Sequence, residues 1–208
     1  MAGYKGIDLS HWNDIVDYKA VAEQVDFIIL KAGGSDCGFY EDSKFHKRHL
    51  LFEALGVDLG CYYFVGQHFY GYDNGKEDAK RFINIIDKKK FTYPVVLDIE
   101  STLPKRKEEA TEACIGFCDE LESAGYYAMI YASDVSGFKD RLILDKLKRF
   151  DKWVARYGSE PKIVPVDDYG IWQSSSSGHL AGIIGRVDLD VSYRSYPSII
   201  KRAGLNNL

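Results

Sequence analysis

The sequence predicts an α/β protein whose strands close into an irregular, abbreviated TIM-like barrel. Strand-like and helix-like segments alternate through the first two-thirds of the chain, which is typical of βα units. The strand-like segments are short continuous apolar runs, as expected for a parallel sheet that is buried on both faces. After residue 150 only strand-like segments follow, and loops rich in glycine, serine and proline join them.

Eight strands and five helices are predicted along the chain. Each strand is a short apolar run, and each of the first five is followed by a helix-like segment. The strands are expected at residues 4–9, 27–31, 59–65, 95–99, 126–131, 153–157, 170–173 and 187–190. The helices are expected at residues 18–24, 44–55, 74–88, 106–123 and 140–149.

The number of strands favours a closed barrel over an open sheet. Eight strands close naturally into a small barrel. A regular (β/α)8 barrel usually takes about 250 residues, so 208 residues fit a barrel whose last strands lack helices. A doubly wound open sheet is the alternative, but it would need helices to cover the last three strands. No domain boundary is evident, and residues 1–208 are expected to form a single domain.

Composition narrows the classes of function. The net charge is −4 and no basic stripe occurs, so binding to nucleic acid has little support. No apolar run approaches the roughly 20 residues of a membrane span, and the first residues lack the apolar core of a secretory signal. Synthesis in the cytoplasm and four reduced cysteines are therefore expected. The 15 tyrosines suit an amphipathic ligand such as a sugar.

Two carboxylates at the end of the fourth predicted strand are the most informative local feature. Asp98 and Glu100 follow an apolar run, and residues i and i+2 of a strand point to the same face. Neighbouring carboxylates are unfavourable unless their pKa values separate, and such a pair can serve as acid and base. Glycoside hydrolysis commonly uses two carboxylates. The other interpretation is a polar strand end that caps a loop.

The remaining predicted strands also end in acidic and aromatic side chains. In barrels of this kind the active residues lie at the carboxyl ends of the strands, so these side chains are expected to converge on one rim. A divalent cation held by the acidic residues is a rival interpretation, although no histidine accompanies them at ligand spacing. We favour a site without metal or cofactor. The candidates are Asp8, Lys31, Tyr62, Phe64, Asp98, Glu100, Tyr131, Trp153, Tyr157, Trp172, Gln173, Asp188 and Asp190.

Together these segments resemble glycoside hydrolase family 25, the Chalaropsis-type lysozymes found in phage endolysins and bacterial autolysins. The similar segments appear in the family's order and cover nearly the whole chain. Two departures are visible: Tyr63 stands where the family often has histidine, and Asp190 where it commonly has asparagine. The similar segments are 6–13, 27–32, 60–64, 97–100, 153–157, 171–173 and 187–190.

The resemblance implies a (β/α)5(β)3 barrel that cleaves the β-1,4 bond between N-acetylmuramic acid and N-acetylglucosamine in peptidoglycan. Glu100 would be the general acid, and Asp98 would serve the 2-acetamido group of a substrate that supplies its own nucleophile, with retention. Asp8 and Asp188 would complete the catalytic group. Lys31 would contact a polar or anionic substituent, and the rings would stack on sugars.

The same resemblance implies a partner and a place of action. Peptidoglycan glycan strands would be the partner of a monomeric catalytic module that acts on the cell wall, without nucleic acid or membrane. A wall-binding module on a hydrolase-like barrel, and another glycosidase such as a chitinase-like enzyme, are the alternatives.

Overall fold

A computed structural model describes residues 3–208, in which eight strands close into one barrel. The strands and their order around the barrel confirm the predicted architecture. Two short strands, Asp14–Ile15 (β2) and Ile183–Ile184 (β10), pair outside it, and Tyr40–Glu41 (β4) adds to one edge. The barrel strands are Tyr4–Leu9 (β1), Phe27–Gly34 (β3), Asp58–Val65 (β5), Val95–Ile99 (β6), Ala128–Ser133 (β7), Asp151–Ala155 (β8), Ile171–Gly178 (β9) and Val187–Ser192 (β11).

Strand β11 runs against the other barrel strands. It pairs antiparallel with both β1 and β9, whereas β1, β3, β5, β6, β7, β8 and β9 follow one another in parallel. The loop from β9 to β11 therefore returns at the rim where the parallel strands end. As a result the first residues of β11, not its last, lie at that rim.

The helices differ from the prediction at two places. Four α-helices were placed correctly, but residues 140–149 hold a 3₁₀ turn, Leu144–Leu147, after the π-helix Asp134–Lys139. A fifth α-helix lies at Tyr196–Ala203 (α5), after the last strand, where no helix was predicted. The others are Tyr18–Ala22 (α1), Phe45–Ala54 (α2), Tyr72–Ile86 (α3) and Lys107–Ser123 (α4). None of the helices in residues 3–208 has the length and apolar character needed to cross a bilayer.

The barrel interior and the layer beneath the helices are two separate apolar clusters. Alternate residues of each strand point to opposite faces, so Val96 lies inside while Val95 and Leu97 pack outside against the helical layer. Helix α5 closes the end of the barrel where the parallel strands begin, with Tyr196 and Ile200 fully buried in the inner cluster. The opposite end, where the parallel strands finish, is left for a site.

Candidate active site

The paired carboxylates end β6 on the inner face of the barrel. Side chains alternate between the two faces of a strand, and Val96, Asp98 and Glu100 lie on the face that points into the barrel. Asp98 is only 5% exposed and its Oδ1 atom has no hydrogen-bond partner among residues 3–208, while Glu100 reaches out to solvent. Burial and the neighbouring Glu100 raise the pKa of Asp98 well above its usual range. Burial within the rim and the charge of Asp188 raise the pKa of Glu100 less strongly.

Asp8 and Asp188 face each other on adjacent strands. They are direct partners in the antiparallel register of β1 and β11, a position at which two like charges repel. Burial and Asp188 raise the pKa of Asp8 well above its usual range, and burial raises the pKa of Asp188. Strand β11 lies four strands from β6 in either direction around the barrel. Asp188 therefore stands opposite Asp98 and Glu100 across the rim.

Lys31 is held over aromatic rings beside the paired carboxylates. Its Nζ atom lies 4.6 Å from the ring centre of Phe64, 5.5 Å from Tyr40 and 5.9 Å from Tyr62. The register of β3 against β5 shifts just after it, between Lys31 and Gly33, and such bulges re-aim side chains near active sites. Its charge lowers the pKa of both carboxyls that end β6.

Gln173 links the acidic residues of β1 and β11 to two tyrosines. Its Nε2 atom donates to Asp8 Oδ2 at 2.8 Å and lies 3.5 Å from Asp188 Oδ2. Its Oε1 atom accepts from the hydroxyl of Tyr131 at 2.8 Å and from that of Tyr157 at 3.0 Å. Because these bonds fix the amide, the oxygen and nitrogen atoms of Gln173 have one orientation. Tyr157 is 53% exposed and leaves a ring open at the rim.

Two predicted sugar-stacking tryptophans do not face the rim. Trp153 is 2% exposed, packs 4.5 Å from the ring of Tyr131, and donates its indole N–H to Asp190 Oδ1 at 2.9 Å. Trp172 belongs to the outer layer, because its neighbour Gln173 points inward and strand side chains alternate. Its indole N–H donates to a backbone carbonyl at 2.8 Å. Neither ring therefore faces the groove in this structure, and sugar stacking at these two positions stays a prediction.

A cavity of about 360 Å³ opens beside Glu100 between the ends of β7 and β8. Its wall includes four residues that the sequence analysis did not select, Ser133, Ser136, Asp134 and Arg156. Ser133 ends β7, Asp134 and Ser136 follow it by one and three residues, and Arg156 directly follows β8, so extending the search a few residues past the strand ends would have found them. They extend the rim from the catalytic candidates into a groove.

Asp134 fixes the wall of this groove. Burial tends to raise the pKa of Asp134, but the backbone N–H groups of residues 162, 163 and 164 and the guanidinium of Arg156 hold it below its usual value. Arg156 Nη1 lies 2.7 Å from Asp134 Oδ2. The loop after β8 is thereby tied to the end of β7, which gives the groove a defined wall.

The sequence as a whole matches one family. The model for glycosyl hydrolases family 25 matches residues 7–183. The chain belongs to this family. An autolytic lysozyme of Clostridium acetobutylicum is 29% identical over 188 residues, which is 89% of this chain and 55% of that protein. The chain thus spans about half the length of this curated relative.

Solved structures agree with the fold. The CTP1L endolysin superposes with a TM-score of 0.81 at 24% identity, over 96% of this chain and 70% of that one. The autolysin LytC of Streptococcus pneumoniae, solved with a synthetic peptidoglycan ligand, has a TM-score of 0.73 at 27% identity, over 92% of this chain and 47% of its own. The family 25 fold predicted from the sequence is confirmed.

The family 25 rim can hold and move protons. Asp98 and Glu100 interact directly, so their titrations are coupled, and burial raises the pKa of both carboxyls. Among residues 3–208, no group of three or more His, Cys, Asp or Glu side chains is arranged to hold a metal ion, so the metal interpretation gains no support. The rim therefore has an exposed acid, Glu100, a buried acid, Asp98, and on its far side the acidic pair of Asp8 and Asp188.

Proposed function

We propose that this protein is a muramidase that hydrolyses the β-1,4 bond between N-acetylmuramic acid and N-acetylglucosamine in peptidoglycan. The observation that carries the proposal is the unequal pair at the end of β6. Glu100 is exposed in the groove with a raised pKa, whereas Asp98 is buried beside it. Family membership, the similar autolytic lysozyme and the peptidoglycan ligand of the similar LytC autolysin support the choice of substrate.

Glu100 is the general acid in this proposal. A general acid must reach the leaving oxygen and must still hold its proton near the working pH. Only Glu100 of the two carboxyls extends into the groove, and burial and Asp188 raise its pKa. It protonates the glycosidic oxygen as the bond breaks, and its carboxylate then removes a proton from the incoming water.

Asp98 serves the 2-acetamido group of the substrate. Both carboxyls project from one strand, so they approach the sugar from the same side, whereas a nucleophile must attack from the side opposite the leaving group. In a substrate-assisted reaction the acetamido oxygen is that nucleophile, and Asp98, which is a carboxylate while Glu100 holds the proton of the pair, accepts the acetamido N–H and stabilises the cyclic cation. The expected outcome is retention of the anomeric configuration.

Asp188 offers the second route to hydrolysis. It lies across the rim from Glu100, as the base of an inverting enzyme must, because that base activates water on the far face of the sugar. Proton NMR of the first sugar released distinguishes the two routes. The β-anomer as first product supports substrate assistance, and the α-anomer overturns it in favour of Asp188 as base.

The test of the muramidase proposal is clearing of purified cell walls by the wild type and by Glu100→Gln. We expect the variant to lose about 100- to 10,000-fold in rate, as is usual when a general acid is removed. Glu112→Gln on the exposed face of α4 is the matched control, since it makes the same change away from the rim. Equal clearing by the wild type and Glu100→Gln would refute the role of Glu100.

The chemical ends of the product identify the bond. Borohydride reduction of the released fragments should mark N-acetylmuramic acid as the new reducing end. A marked N-acetylglucosamine end would point to another glycosidase, such as a chitinase-like enzyme. Wall binding without any clearing by the wild type would instead favour a recognition module on the same barrel.

A further inference from the structure

We propose that Asp190 is a positioning residue whose carboxyl group stays protonated in the working enzyme and donates its O–H from Oδ2 to the Asp8 carboxylate. Asp190 lies below the rim, and no step of the proposed reaction requires it to touch the substrate. The inference deepens the proposed function and rests on it, because Asp8 is part of the catalytic group.

The strand register brings the two carboxyl groups together. Asp8 pairs with Asp188 and Gly6 pairs with Asp190 in the antiparallel ladder of β1 and β11. Asp8 and Asp190 are thus diagonal neighbours on the inner face, with α-carbons about 7–8 Å apart, within reach of two carboxyl groups. Gly6, directly opposite Asp190, has no side chain that could donate a hydrogen bond.

The hydrogen bonds of Asp190 are incomplete if it is ionised. It is only 2% exposed, and its Oδ1 atom accepts the indole N–H of Trp153 at 2.9 Å. Its Oδ2 atom is buried, and no N–H or O–H group of residues 3–208 donates to it. A buried carboxylate oxygen without a donor is costly. A proton on Oδ2 turns it into a donor, and the adjacent Asp8 carboxylate is the acceptor that it faces.

The groups around Asp190 favour the protonated form. The side chains that face it are Asp8 from β1, Asp188 from its own strand, Trp153 from β8 and Gln173 from β9. Two of these are acidic and the other two are neutral, so no cation in this set offsets a charge on Asp190. Burial and Asp8 raise the pKa of Asp190 well above its usual range, although the bond from Trp153 opposes the shift.

The consequence is a fixed orientation for Asp8. With this arrangement Asp8 accepts one hydrogen bond from Gln173 Nε2 and a second from Asp190. Both donors also receive bonds from buried aromatic side chains, Tyr131 and Trp153, so neither can turn away without losing a partner. These two bonds lower the pKa of Asp8, against the burial and the charge of Asp188 that raise it, and they hold the Asp8 side chain in one orientation.

The direct test is carbon-13 NMR of protein labelled at the aspartate carboxyl carbons. The signal that disappears in Asp190→Asn belongs to Asp190. We expect this signal at the position of a protonated carboxyl at pH 7, with titration only at higher pH. Titration near the ordinary value of about 4 would overturn the proposal. This readout needs no substrate, so it remains decisive even if the muramidase proposal fails.

Two substitutions at Asp190 give a kinetic test. Asp190→Leu keeps the branched shape of the side chain, although it is larger, and removes both the donor and the acceptor, so we expect kcat/KM to fall about 10- to 100-fold, as for a lost bond to a charged group. Asp190→Asn can accept from Trp153 and donate to Asp8, so it should recover most of that loss. Equal loss in both variants would contradict a donated hydrogen bond.

The pH profile separates a neutral Asp190 from a charged one. If Asp190 is neutral, Asp190→Asn removes no charge, and both limbs of the kcat/KM profile should stay within about 0.5 pH units of the wild type. If Asp190 were ionised, its removal would lower the pKa values of the remaining acids, and the profile would move to lower pH. That displacement would overturn the proposal.

Discussion

The two ends of the barrel use buried aspartates in opposite ways. At the closed end, Asp151 accepts hydrogen bonds from the hydroxyls of Tyr196 and Tyr127 at 2.5 and 3.3 Å, and from Arg194 Nη1 at 3.0 Å. At the open end, Asp98 is equally buried, yet one of its oxygens has no donor among residues 3–208. The closed end therefore surrounds its aspartate with hydrogen-bond donors, whereas the open end leaves carboxyl groups with raised pKa values.

This contrast extends to the neighbouring charges. Asp151 has an arginine within ion-pair distance, at an end that helix α5 seals. At the rim, the acidic side chains of β1, β6 and β11 lie close to one another. Lys31 is a cation at this rim, and its charge lowers the pKa of both Asp98 and Glu100. An excess of acid over base at one end raises pKa values, and raised pKa values are what a general acid requires.

Among the substitutions that test this comparison of the two ends, Asp98→Asn should have the largest effect on activity. The amide keeps the shape of the side chain but cannot carry the charge that stabilises the substrate cation. We expect wall clearing to slow about 100- to 1,000-fold, which is usual for one electrostatic group of an active site. Retained clearing within a few-fold would show that Asp98 only shapes the rim. The control is Asp140→Asn at an exposed position.

Breaking the closed end should cost stability and not chemistry. Asp151→Asn leaves Arg194 without its anion and weakens the bonds from two tyrosines. We expect the free energy of unfolding to fall by about 1–3 kcal/mol, measured by urea denaturation. The rate of wall clearing per folded molecule should stay near that of the wild type. A stable but inactive variant would contradict the division between the two ends.

The corresponding substitution at the open end, Asp98→Asn, should have the opposite effect on stability. The folded-state pKa of Asp98 is raised, so the stability that its proton contributes is complete below the unfolded pKa and is lost as pH rises toward the folded pKa. Asp98→Asn has no proton to lose. Urea denaturation should therefore show this variant gaining stability relative to the wild type between pH 4 and 7. A variant that is less stable at pH 7 than at pH 4, relative to the wild type, would contradict the raised pKa.

The smallest effect concerns Lys31. Its charge lowers the pKa of Asp98 and Glu100, so Lys31→Met should raise both values. The alkaline limb of the kcat/KM profile should move up by about 0.5–1 pH unit. Lys201→Met on helix α5, at the closed end, is the control and should leave the limb in place. A shift to lower pH in Lys31→Met would contradict the assignment.

The sequence could predict that many of the candidate residues lie close together, because their placement depends on strand periodicity. Asp98 and Glu100 are two residues apart on one strand, so their shared face required no knowledge of the fold. Asp8, Lys31 and Tyr131 lie at or near the ends of predicted parallel strands, and the barrel brings such ends together. The positions of Trp153 and Trp172 could not be foreseen, because proximity to a strand end says neither which face a ring occupies nor how deep it lies.

The fold was predicted less well where local pattern is weak. Residues 140–149 contain helix-forming side chains, yet the chain forms a π-helix at Asp134–Lys139 and then a 3₁₀ turn. Helix α5 begins only after the last strand, and its place at the closed end depends on the fit of Tyr196 and Ile200 into the inner cluster. Packing against distant strands decides such segments, because a short helix has little stability of its own.

By itself the sequence determined the eight strands, the closed barrel and the acidic pair on β6, since each follows from local periodicity and chain length. Only the tertiary structure decided that β11 runs antiparallel, which brings Asp188 opposite Glu100 and sets Asp190 below Asp8. The tertiary structure also decided which carboxyl groups are buried away from water and which lie near a cation. A pKa depends on those surroundings and not on residue type, and therefore the division of labour between the two ends of the barrel arises only in the folded molecule.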